Sequence, residues 1–311
     1  MALTLIESAK LALDRGDYKT AAIQQMFARS SAWLGTLPFT DIPGNSITYR
    51  LESALPGSAF RAINEAYTES TGTFEERTDA LRILGGDLDV DKALVKMLGS
   101  GIRSAHEQNK IKSMAAEATR VLIKGDSIAQ PREPDGLQVR CVGTQLVANS
   151  AAAGGAALSL TNLDLAIQRT ANPVEIWLHP TLFARFTAAM RTTAVSGVIL
   201  TGEDEFGRPA VRYNGLPLVT AYPENDGTEP IDFLEVPAGG APAVTTSLYV
   251  VGKGGSGLVG IQNGGMEVKD LGELNAQPVF RTRVEWLMGW MCANPRAVTR
   301  LYSITNAAIV A

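Results

Sequence analysis

The stretch from Arg50 to Arg82 constrains this chain most. It holds four basic and six acidic residues and few large apolar ones. Ser53 to Gly57 is turn-like, and Ala59, Phe60, Ala62, Ile63 and Ala66 are scattered among polar residues. Thr68-Glu69-Ser70-Thr71-Gly72-Thr73 is polar, and Phe74 leads into Glu75-Glu76-Arg77-Thr78-Asp79. Such a segment cannot bury enough apolar surface to make a core of its own. Loops this long in a compact domain are functional or disordered. The reading is an extended hairpin projecting from a body. The alternating strand Ile47-Thr48-Tyr49-Arg50-Leu51 leads out, and the alternating run from Leu81 to Val90 leads back.

The rest of the chain must supply that body. A length of 311 residues allows about two domains. With 45% hydrophobic and 19% charged residues, a wholly disordered chain is excluded. The mean hydropathy of +0.04 is high for a chain that stays alone in water, so part of its apolar surface is expected to be buried between chains.

Residues 3–30 read as helix, with apolar stripes broken near Gly16-Asp17. Short amphipathic pieces need another surface to lie on. Residues 92–124 read as a long amphipathic helix, capped by Asp91, interrupted near Gly99 or Gly101 and ending at Gly125. Residues 130–136 mark a boundary. Beyond it the pattern predicts a strand over Leu137 to Val142, a helix from Leu160 to Thr170 and a strand from Val174 to Leu178. His179-Pro180 opens a helix running to about Met190, with Pro180 at its first position. Strands then dominate: Ala210 to Tyr213, Leu216 to Ala221, Leu248 to Val251, Leu258 to Ile261, Met266 to Lys269, Val279 to Met291 and Ala297 to Thr305. The fold class is α+β, with helices and strands segregated.

Most chemistries find no residues to carry them. Cys141 and Cys292 cannot form a disulfide scaffold, and no CxxC spacing suggests zinc. His106 reads as surface and His179 as a helix cap, which leaves no histidine for a metal or a general base. Glu203-Asp204-Glu205 and Glu75-Glu76 read as solvated acid pairs. Gly252-Lys253-Gly254-Gly255-Ser256-Gly257 matches a dinucleotide fingerprint, but a strand and not a helix is expected to follow. A glycine-rich turn is the better reading, and a nucleotide-binding enzyme the remote alternative. No catalytic, cofactor or metal residue is assigned.

The N-terminus meets charge too soon for a signal peptide. The uncharged run between Arg140 and Asp164 is too polar to span a membrane. A cytosolic protein, or one assembled in cytosol, is expected. Lys plus Arg number 28 against 32 Asp plus Glu, with no block of like charge, so no nucleic-acid-binding stripe is visible.

In their order, these parts resemble the major capsid protein of tailed double-stranded DNA phages, the Hong Kong phage capsid type. The resemblance runs over nearly the whole chain. It rests on Ser58-Ala59-Phe60 before a polar acidic tip, then Thr73-Phe74-Glu75-Glu76-Arg77-Thr78. It continues in Val174-Glu175-Ile176-Trp177-Leu178-His179-Pro180 and in the turn Tyr213-Asn214-Gly215-Leu216. It closes with Val279-Phe280-Arg281-Thr282-Arg283-Val284-Glu285-Trp286 and Pro295-Arg296-Ala297-Val298-Thr299-Arg300-Leu301.

The resemblance implies an N-terminal arm (1–34) and a strand with the extended hairpin (35–90). It also implies a peripheral domain with a long spine helix (91–134 and 258–311) and an axial domain (135–257). It implies self-assembly into hexamers and pentamers of an icosahedral head around double-stranded DNA, and no enzymatic activity. An encapsulin-type nanocompartment shell is the alternative of the same fold. The residues expected at assembly contacts are Phe60, Arg61, Glu69 and Phe74, then Glu75, Glu76, Arg77 and Trp33. Because the arm starts almost at Met1, a separate scaffolding protein, or removal of a scaffolding region, is expected, as is a portal. No Lys and Asn pair matches the cross-link of one branch of the family.

Overall fold

The computed structural model describes residues 2–15, 17–99, 101–191, 199–203, 209–221, 229–274 and 277–310. Its helices are α1 (Leu5–Asp14), α2 (Tyr18–Ser30), α3 (Ala32–Thr36), α4 (Lys92–Leu98), α5 (Gly101–Lys124), α6 (Leu137–Arg140), α7 (Leu160–Arg169) and α8 (Pro180–Ala189). The first strands are β1 (Leu3–Thr4), β2 (Pro38–Asp41), β3 (Ser46–Ala54), β4 (Thr73–Ala80), β5 (Arg82–Asp91), β6 (Leu146–Ala148) and β7 (Glu175–Leu178). They are followed by β8 (Ile199–Glu203), β9 (Pro209–Tyr213), β10 (Leu216–Thr220), β11 (Thr246–Val251), β12 (Leu258–Glu273), β13 (Val279–Cys292) and β14 (Val298–Ile304).

Helix α1 begins at a reciprocal cap. The Glu7 amide donates to Thr4 Oγ1 at 3.3 Å and the Thr4 amide to Glu7 Oε2 at 2.8 Å. The helix breaks at the expected place, and Asp17 caps α2 by accepting from the Thr20 amide. Part of the apolar stripes is satisfied without a neighbour, while Ile6, Leu11 and Leu13 stay exposed. Leu5, Ala9, Ile23 and Phe27 are buried within the chain itself, and Phe27 meets Trp286 edge-on at 5.2 Å. Helices α1 to α3 therefore lie on the chain's own body, because α2 packs against α5 and completes the same core as the sheet beneath it.

That sheet has the order β1-β2-β12-β13-β5. β12, β13 and β5 form a long antiparallel meander in space, while β2 joins β12 in parallel through Gly260↔Phe39. A Cβ on Gly260 would stand 2.4 Å from the Phe39 ring, so the close approach requires glycine. The sequence pattern divided β12 in two at Asn263-Gly264-Gly265. The structure shows one strand with a bulge there, since Gly264 and Gly265 take φ of +78° and +77° and pairing resumes at Met266.

The long helix is interrupted as expected, at Gly99, where φ is +86°. Asp91 caps α4 through the Ala93 amide at 2.7 Å. In α5, Ile111, Met114, Ala115, Ala118 and Leu122 recur at three and four and pack on the sheet. The strand expected over Leu137 to Val142 is instead the one-turn helix α6. The backbones of Gly125 and Gly136 meet there, with the Gly136 amide donating to Gly125 O at 2.8 Å. That contact turns the chain sharply and drops Leu137 into the core.

The second sheet runs β6-β14-β11-β7-β10-β9-β8. Helices α7 and α8 cover it through Leu163, Ile167, Leu182 and Phe186, packed against Ile176, Leu178, Leu248 and Leu301. β3 and β4 form a separate two-stranded ribbon.

Candidate assembly surfaces

The ribbon has a buried root and an open tip. At the root the Leu81 amide donates to Asn45 O at 2.7 Å, and Leu81, Ile42 and Ile261 form a small apolar cluster with Ile47 and Met291. Asp79 and Arg140 are buried there as an ion pair, their side chains only 7% and 4% exposed. Arg140 grips both carboxylate oxygens at 3.1 and 2.8 Å and also donates to Trp290 O at 3.1 Å and Asp135 O at 2.9 Å. Tyr49, across the ribbon, donates to the same carboxylate at 2.7 Å. Burial, followed by that hydrogen bond, pushes the Tyr49 phenol up.

Beyond the root the ladder is held by polar pairs. Arg50 meets Glu76 at 2.9 Å and Thr48 meets Thr78 at 2.8 Å, all exposed. The tip, residues 55–72, has no regular secondary structure and is pinned to itself. The Gly57 amide donates to Ser70 Oγ at 2.8 Å, and the Arg61 guanidinium sits 5.0 Å from the Tyr67 ring centre.

Of the contact residues expected from sequence, Phe60 is 106% exposed and Phe74 65% exposed, with Arg61, Glu69, Glu75 and Glu76 also in solvent. Arg77 is half-buried and lines a groove at the root. Trp33 is a correction. It is 1% exposed, stacks on Trp177 and donates to Val219 O at 3.3 Å, so it belongs to this chain's own core and has no face left for a neighbour.

Sequence reasoning did not single out other open apolar groups. On the tip these are Leu55, Ile63 and Tyr67. On the body, Ile83, Met97, Leu98, Ile128 and Leu234 are each at least 65% exposed. No side chain of α4 is fully buried, and Val95 is only half-buried. Its seven residues are too few to print an amphipathic period, and Met97 and Leu98 looked like the start of the long helix's inner stripe.

On the sheet face, Arg281 grips Asp89 and Arg283 grips Asp87 in paired hydrogen bonds of 2.5 to 2.8 Å. These guanidiniums hold both carboxyls below the usual range. The alternate arginines of β13 thus cross-link it to β5, one partner from each end of the chain.

The glycine-rich loop leads into β12, with no helix start to face a phosphate. Its Lys253 is already engaged. The ammonium is paired with Glu175 at 2.5 Å, donates to Thr36, and stands 5.3 Å from the Trp177 ring centre. Burial pushes it down. His179 caps α8 by accepting from the Thr181 amide at 3.0 Å, and its other ring nitrogen meets Glu229 at 2.9 Å. His106 is exposed on α5, and Asp204 and Glu205 lie outside the described residues. Among the described residues no group of three His, Cys, Asp or Glu could hold a metal, and no helix is long and apolar enough to cross a membrane.

A projecting ribbon, a split spine helix on one sheet and a second, helix-covered sheet define the fold of shell-forming capsid proteins. The encapsulin SrpI of Synechococcus elongatus PCC 7942 has a similar structure, with a TM-score of 0.63 at 17% identity over 90% of this chain and 89% of that one. The capsid of a native GTA particle follows at 0.61 and 17%, over 86% and 87%. That of Microbacterium phage Oxtober96 gives 0.60 and 12%, over 88% and 90%. No curated protein matches the sequence. Residues 16–165 match the family described as Major capsid protein GP7. Together these comparisons show the fold of Hong Kong phage type capsid proteins, and the family match over residues 16–165 supports a structural capsid role.

Proposed function

We propose that the chain assembles into hexamers and pentamers of a closed icosahedral head that encloses double-stranded DNA. The hairpin tip carries this reading. Phe60, Ile63 and Tyr67 stand 106%, 93% and 71% exposed on a segment with no core of its own. Apolar groups held out on a fixed root gain burial only against another chain. A contact between two different patches, repeated by rotation, closes a ring.

A net charge of −4 suits a container for DNA, since a strongly basic lining would pin the polymer. A scaffolding protein, a portal and a place in the virion belong to the same reading, with assembly in the host cytoplasm. The encapsulin likeness supports a second reading, a nanocompartment filled with protein cargo. The Major capsid protein GP7 match favours the head.

The test is electron microscopy of the purified chain, expressed alone and with the proteins encoded beside it, followed by nuclease treatment and extraction of the contents. Closed shells protecting double-stranded DNA are expected. Shells holding only a protein cargo would shift the assignment to the nanocompartment, and a stable monomer under every condition would overturn both.

A further inference from the structure

The root of the hairpin is attached in two physically different ways. Ile42, Ile47, Leu81, Ile261 and Met291 hold it by apolar contact, which is non-directional and opposes separation far more than rotation. The hairpin does not lie flush on the body either. A groove of about 330 Å³ separates Leu51, Glu75 and Arg77 from Cys141, Gln145 and Pro295. An Asn263 Nδ2 to Gly44 O hydrogen bond of 2.9 Å holds only the turn before β3, so packing and this bond leave the angle of the ribbon weakly determined.

The second attachment is directional. The planar Arg140 fork meets both oxygens of Asp79, and one of those oxygens also accepts from Tyr49, so both strands of the ribbon are engaged. On the other side Arg140 is fixed by two carbonyls, of Asp135 and of Trp290 on β13. Among the described residues it makes the one ion pair between the β3–β4 ribbon and the body.

A buried pair of this kind returns little net stability over an apolar replacement, because desolvating both charges offsets their attraction. Its bidentate geometry supplies orientation instead. From this geometry we infer that Arg140 is a positioning residue, one that sets the projection angle of the hairpin and so where the tip lands on the next subunit. The landing rests on the shell reading above; the angle does not.

The angle can be read on the unassembled chain. Spin labels at Thr68→Cys on the tip and Lys112→Cys on α5 report one distance, with labelled chain diluted in unlabelled chain. Cys141 and Cys292 are buried and stay unlabelled. The parent is expected to give one narrow distance distribution. R140K keeps the charge but loses the fork, and D79N keeps the shape but loses the charge. Both should broaden the distribution while remaining folded by circular dichroism, and particle yield should fall several-fold. If D79N fails to fold, R140K still decides. A folded R140K with the parent's distribution would overturn the inference, even if shells form normally. Broadening in R140K from a parent that never makes particles would instead leave the clamp standing and remove the shell reading.

Discussion

Trp33 stacks on Trp177 with ring centroids 5.1 Å apart and planes 12° from parallel. One ring comes from the N-terminal segment and the other from the middle of the seven-stranded sheet, and both lie in one core cluster, so the pair ties that segment to the second sheet. Lys253 closes the assembly from above the Trp177 ring. W33A should cost about 3–5 kcal/mol, the usual range for a buried aromatic truncated to alanine. Urea unfolding of the unassembled chain measures it. A loss within about 0.5 kcal/mol, the scale of surface substitutions, would return Trp33 to the surface.

The tip behaves in the opposite way. F60S and F74S should leave the unfolding midpoint of the unassembled chain nearly unchanged, since neither side chain is buried in it. Light scattering should show assembly weakened or lost in both. Replacing residues 55–72 by a short turn should give a folded, assembly-deficient body. The cut must spare Leu51 and Asp79, which are buried in the root.

The paired arginines of β13 predict an acid limit. Asp87 and Asp89 have carboxyls lowered first by hydrogen bonds from Arg283 and Arg281. Their folded values lie below the unfolded value of about 3.9. A group lowered in this way stabilises the fold above its unfolded value, and the contribution is lost as pH falls through the folded value. Thermal scans from about pH 5 down to about pH 2 should show the midpoint falling, and the fall should be smaller in R281M and R283M. An equal fall in all three would remove these pairs from the acid response.

Both thiols should be silent in the native chain. Burial pushes Cys141 up to about 12 and raises Cys292 as well, so neither is a thiolate at neutral pH. A colorimetric thiol reagent at about pH 8 should find essentially no reaction before denaturant and both cysteines after it. Rapid native reaction at Cys292 would mean that the groove beside the hairpin root opens in solution.

The hairpin was legible because it breaks two rules at once: alternation without a buried face, and length without a core. Capping was equally legible, in Asp91 and in the His179-Pro180 start. Trp33 was misplaced because its partner Trp177 lies 144 positions away, and nothing local distinguishes a tryptophan that stacks inward from one that meets a neighbour. α6 was misread because Leu137-Gln138-Val139-Arg140 alternates like a strand, and the deciding contact is between two glycine backbones eleven positions apart. Arg140 and Asp79 carried no signal at all. A buried guanidinium looks the same in sequence as one in water.

The sheet that roots the hairpin has consequences for how the chain is made. β5 ends at Asp91, but its partner β13 begins only at Val279. A ribosome therefore releases the ribbon long before the strand it must lean on. Contacts so distant in sequence form late and slowly. Until Trp290 is synthesised, Arg140 lacks one of its carbonyl acceptors and the ribbon has no β13 surface beneath it. Nascent chains crowded on one messenger would thus carry tips that are exposed but not yet aimed. If the chain assembles as proposed, the last third of it acts as a timer in this order of synthesis: a subunit would become competent to join others only when nearly all of it exists.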